Sequence, residues 1–68
     1  MTDCNLLRSL FVKKGLTQGK VAEYLGLSTV TMSSRMKSGD FGIEECDKLI
    51  DLLDIEDPVP VFFKKKLT

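Results

Sequence analysis

Side chains able to do covalent or acid–base chemistry are scarce in this chain. Its 68 residues include no histidine, so the commonest general base at neutral pH is missing. No glycine-rich phosphate loop occurs, and no Ser or Cys stands at a recognisable spacing from an activating base. The adjacent pair Glu44–Glu45 faces neighbouring directions on a helix and is exposed by pattern. Cys4 and Cys46 are far apart in sequence, and without histidine neither assembles a zinc site. Both thiols are expected to be reduced, Cys46 as a small core hydrophobe. Catalysis, a cofactor and a metal are therefore not expected. What stands out instead is a run of hydrogen-bonding but uncharged side chains. Thr29, Val30, Ser33 and Ser34 are poor helix formers, yet they sit inside a helical pattern that also carries Arg35 and Lys37. Helix propensity alone does not account for them.

Charge is distributed with a purpose that the total hides. The formal net charge is zero. Up to Lys37, the basic residues Arg8, Lys13, Lys14, Lys20, Arg35 and Lys37 face only Asp3 and Glu23. Between residues 38 and 63, Lys48 alone opposes Asp40, Glu44, Glu45, Asp47, Asp51, Asp54, Glu56 and Asp57. Lys64, Lys65 and Lys66 then restore the balance. A chain split this way presents a basic face to an anionic partner and keeps an acidic face elsewhere. Hydrophobic residues at 43% and charged residues at 29% are the proportions of a single small globular domain. No apolar run approaches the roughly 18 residues of a membrane span. The acidic start Met1-Thr2-Asp3 leads straight into an amphipathic pattern, so no signal peptide is expected and the location is read as cytoplasmic.

The elements that must position these residues are all helical. Leu6, Leu7, Leu10 and Phe11 have helical spacing over residues 5–14, with Thr2 or Asp3 to cap the start and Gly15 to end it. Thr17 caps a second helix that buries Val21, Ala22 and Leu25 and stops at Gly26. Leu16 and Val21 have hydrophobic-staple spacing. The pattern repeats with Leu27, the cap Ser28 and Met32, predicting a third helix over residues 29–38 with Met32 and Met36 inward. Residues 39–42 break it. Ile43, Cys46, Leu49, Ile50 and Leu53 form the apolar stripe of a fourth helix over residues 43–54, its other side acidic. Pro58 opens either a fifth short helix or an extended segment. Val59, Val61, Phe62 and Phe63 either close the core or form a dimer seam.

The turn between the second and third helices is the informative part. A tight crossing needs a small residue at the contact, which is Ala22. It also needs a residue tolerant of positive φ four positions later, which is Gly26, with apolar Leu27 and Met32 beyond it. The pattern Gly15-Leu16-Thr17-Gln18, Val21-Ala22, Leu25-Gly26-Leu27-Ser28 and Met32-Ser33 resembles the Cro/repressor (XRE-like) helix-turn-helix regulators of phages and bacteria. Leu52-Leu53-Asp54-Ile55 followed by Phe62-Phe63 resembles that family's C-terminal part, so the likeness covers nearly the whole chain. The resemblance implies an all-α, lambda-repressor-like bundle of four to five helices, one domain over 1–68, with the helix-turn-helix at about 17–38. It implies binding to double-stranded DNA as a homodimer and a role in regulating transcription.

Residue roles follow from the same resemblance. Gln18 matches a position that contacts the DNA backbone. Thr29, Val30, Ser33 and Ser34 match groove-facing positions, and Arg35 and Lys37 lie where phosphates are reached. Lys20, Ser28 and Thr31 complete the expected DNA-binding set, and Val59, Val61, Phe62 and Phe63 the expected dimerisation set. The chemistry is permissive: hydroxyls serve any base, and a Val or Thr methyl meets the thymine methyl. No Arg, Gln or Asn stands among the base-reading positions, which points to modest specificity or to T-rich steps. Many family members pair a buried Arg in the first helix with a Glu near the end of the third. Here Phe11 and Met36 match those positions and are expected to touch, an ion pair exchanged for packing. Two other readings stand beside this one. The fold can serve as a protein-interaction module (an antirepressor), its partner on the acidic helix 43–54, or as a recombination-accessory DNA binder. Lys64–Lys65–Lys66 is read as a solubilising tail rather than a phosphate clamp.

Overall fold

The first four helices begin at a short polar side chain or a glycine and stop where the backbone turns left-handed, at Gly15, Gly26, Gly39 and Asp54. A computed structural model describes residues 1–64, so Lys65 and Lys66 of the basic tail lie outside the described residues. The elements are α1 (Cys4–Lys13), α2 (Gln18–Leu25), α3 (Thr29–Ser38), α4 (Ile43–Leu53) and α5 (Val59–Phe62). No strand occurs among the described residues. Nor is any helix there long and apolar enough to cross a membrane.

The caps are those the sequence called for. The Asp3 carboxylate accepts from Leu6 N–H, the Thr17 hydroxyl from Lys20 N–H and the Ser28 hydroxyl from Thr31 N–H. Gly26 ends α2 at φ +72°, and Leu27 N–H donates back to Ala22 C=O at 2.9 Å. That is the Schellman stop, which glycine enters without the Cβ penalty. Asp54 makes the same turn after α4 at φ 52°, with Ile55 N–H on Ile50 C=O. Pro58 precedes α5, so the segment left open in the sequence is helical.

Packing places α2 against α1, α3 and α4, with α5 against α1. The core is Leu7, Phe11, Val21, Ala22, Leu25, Met32, Met36, Leu49, Leu53, Val61 and Phe62. Phe11 and Met36 are both in it, on the interior faces of their helices. Cys46 is half-buried against this core, as its stripe position suggested. The N-terminal segment is tied to α5: Asp3 N–H donates to Val61 C=O at 2.7 Å, and Lys64 N–H to Met1 C=O at 2.8 Å. Thr2 is buried there, close under Gly39. Lys14 and Asp54 form an ion pair that links the ends of α1 and α4.

Two expectations need correction. Ile43 belongs to the apolar stripe of α4 by spacing, yet it is 90% exposed. As the first residue of the helix it lies beyond the end of the core, so the stripe outruns the bundle that would bury it. The expected dimer seam also divides. Val61 and Phe62 are core residues, because α5 lies on α1 and turns them inward. Val59 and Phe63 remain exposed.

Candidate nucleic-acid interface

The Ser28 cap fixes where α3 starts and therefore which residues share its outer face. The inward positions are taken by Met32 and Met36, four apart. The residues offset from them, Thr29, Val30, Ser33, Ser34 and Lys37, are all exposed. Val30 is 78% exposed, a large apolar side chain held in water on a helix with no packing reason to be there. α3 has ten residues, about 15 Å of helix.

The start of α2 meets this face. Gln18, the first residue of α2, is half-buried, and its Nε2 donates to the Ser33 hydroxyl at 3.4 Å. That contact joins two residues fifteen apart in sequence into one surface. Lys20 is exposed too, its backbone N–H held by Thr17, but its side chain lies beside Leu16, Glu23, Tyr24 and Leu52 rather than on this face. The side chains gathered here are therefore an amide, several hydroxyls, a valine methyl pair and the Lys37 ammonium. They can donate and accept hydrogen bonds, contact apolar groups and neutralise anions.

Three of the expected contact residues are otherwise engaged. Ser28 and Thr31 bond to each other, with the Ser28 hydroxyl donating to Thr31 Oγ1 at 2.9 Å while accepting from Thr31 N–H. They build the cap that positions the face. Arg35 is half-exposed, and its guanidinium is paired with a carboxylate. Its Nε donates to Glu45 Oε1 at 2.9 Å and a terminal nitrogen to Oε2 at 3.4 Å. Glu45 Oε1 also accepts from Gly42 N–H at 3.1 Å, closing the start of α4.

The Arg35 hydrogen bonds hold the Glu45 carboxyl below the usual carboxylate range, against the opposing effect of its burial, and the Gly42 N–H assists. Glu45 is thus a half-buried anchor and not the solvent-exposed carboxylate that its pattern suggested. Periodicity cannot find an ion pair between consecutive helices. The one trace in sequence is the spacing of Gly42 and Glu45, which suits a carboxylate folding back on the helix start.

Burial raises the thiols of both Cys4 and Cys46, which disfavours the reactive thiolate. No cluster of metal-binding side chains occurs among the described residues. No protein-family model matches the chain, and neither a curated protein nor a solved structure matches it.

Proposed function

We propose that α2 and α3 form a helix-turn-helix and that the chain is a sequence-specific DNA-binding regulator of transcription, acting from the cytoplasm as a Cro-like repressor. The observation carrying this reading is the outer face of α3. Thr29, Val30, Ser33 and Ser34 are poor helix formers left uncovered by the fold, and Gln18 joins them from the neighbouring helix. A major groove about 12 Å wide admits a helix of this kind. Hydroxyls then meet base edges and Val30 meets a thymine methyl. Gln18, Lys20 and Lys37 hold phosphates, and the backbone N–H groups at the start of α2 add to their pull.

Half-sites about one helical turn, roughly 34 Å, apart call for two copies. Two copies of a protein of 33 × 24 × 20 Å sit side by side with their centres that far apart. With Val61 and Phe62 inside the core, little of the expected seam remains for pairing. A stable interface needs about 800 Å² per partner. On this reading the two copies pair on DNA, with Val59 and Phe63 as what remains of the exposed seam.

The test is selection of random duplexes by the purified protein at about 100 mM salt, where phosphate contacts alone are weakened. The expected result is an enriched inverted repeat. Loss of all DNA at modest salt with no enriched sequence would overturn the reading.

A further inference from the structure

One concavity lies on neither α2 nor the outer face of α3. It is a groove of about 490 Å³ between the 39–41 loop, α4 and the end of α5. Phe41, Ile43, Ile50 and Phe63 supply its apolar surface. Two of these should not be on the outside of a small protein by default. Ile43 is 90% exposed and Phe63 65% exposed, and neither contributes to the core. Asp40, Glu44 and Asp47 also line the groove, whereas no Lys or Arg does among the described residues.

An apolar floor within an acidic rim selects its occupant. DNA and an anionic lipid surface are disfavoured at this rim, because the three carboxylates repel both, and the nearby Lys64 ammonium is turned to Asp3 instead. A second copy bound symmetrically is disfavoured too. A two-fold contact sets one patch against the same patch, which brings Asp40, Glu44 and Asp47 against their own equivalents. A cationic partner with apolar side chains satisfies both parts. A volume of this size takes a few large side chains at helical spacing, and basic residues beside them answer the rim.

We propose that this groove is the docking site for a basic amphipathic helix of another protein, anchored by apolar side chains against Ile43 and Phe63 and flanked by lysines or arginines that meet Asp40, Glu44 and Asp47. The site is separate from the DNA-reading face and does not rest on the DNA-binding reading. It gives the acidic half of the chain a task that a solvated surface leaves unexplained.

The experiment titrates the full chain, isotope-labelled and free of DNA, with a synthetic helical peptide carrying Leu at i, i+3, i+4 and i+7 and Lys elsewhere. A scrambled peptide of the same composition and an otherwise identical peptide with Glu for Lys are the controls. Amide shifts are expected at Phe41, Ile43, Ile50 and Phe63, with the ordered basic peptide binding at least about tenfold more tightly than either control. Ile43→Ala, at a position too exposed to affect folding, is expected to weaken it about tenfold, as is the double change Glu44→Gln with Asp47→Asn. Equal binding of the scrambled peptide, shifts spread along the whole acidic surface, or no effect of Ile43→Ala would each overturn the proposal. So would self-association of the free protein that Ile43→Ala abolishes, because the groove would then hold a second copy.

Discussion

Arg35 and Glu45 change what a basic residue near the end of a helix means. On sequence, Arg35 is one more cation for phosphate. In the fold its guanidinium is committed to Glu45, and Glu45 also holds Gly42 N–H. The pair therefore couples the direction of α3 to the start of α4. Its pH dependence follows from the depressed Glu45 carboxyl. The stabilisation is complete above the ordinary carboxylate range and is lost as pH falls through the lowered folded value. Thermal melts of wild type and Glu45→Gln are expected to differ at neutral pH and to converge on acidification. A gap that stays constant with pH would contradict the assignment. The outer face of α3 has its own test at this scale. Ser33→Ala removes a hydroxyl and releases Gln18, and should alter the selected base preference without lowering Tm by more than roughly 2–4 °C, as surface changes rarely exceed about 0.5 kcal/mol.

At the scale of elements, starts and stops were the most legible feature of the chain. Asp3, Thr17 and Ser28 cap as local chemistry requires, because an N-cap involves only residues three positions apart. Ser28→Ala is expected to cost about 1 kcal/mol, lowering Tm by roughly 4–8 °C in a domain of this size. Glycines at similar φ differ in what surrounds them. At Gly26 an added Cβ meets nothing within 4 Å, whereas at Gly39 it lies 3.3 Å from the Thr2 carbonyl oxygen. Gly26→Ala should thus cost only the backbone penalty of about 1–2 kcal/mol, and Gly39→Ala should cost more because the N-terminal segment must also shift. Chemical denaturation of the two variants checks the order. Reversal would mean that Thr2 does not pack where it is placed. The stripe of α4 marks the limit of such reasoning. Periodicity finds the inward face correctly at Leu49 and Leu53, but it cannot know where the core ends, and Ile43 lies past that point.

For the whole molecule, the separation of charge matters more than its sum. If α3 enters a groove, Lys20 and Lys37 are exposed cations that can neutralise phosphate, whereas Arg35 already pairs with Glu45. Lys37→Gln and Lys20→Gln should each reduce the salt dependence of DNA binding by about 0.9 in log–log slope, with no change in thermal stability. Arg35→Gln should instead lower stability. Sedimentation of the free chain at micromolar concentration should report a monomer, with two copies seen only on a duplex bearing both half-sites.

The helices, their caps, the alternation of inward and outward residues on α2 and α3, and the basic and acidic halves were all legible in the order of residues. Each of these depends on neighbours within a turn or two, so composition and spacing carry them. It took the packed fold to show that Val61 and Phe62 close the core while Val59 and Phe63 do not, because that depends on how α5 lies against α1. That fold also decided that Arg35 belongs to Glu45, that Gln18 reaches Ser33, and that Ile43, Phe41 and Phe63 line a common groove. Those contacts join residues from different helices, and their partners are set by how the helices cross. No periodicity within a single helix records that.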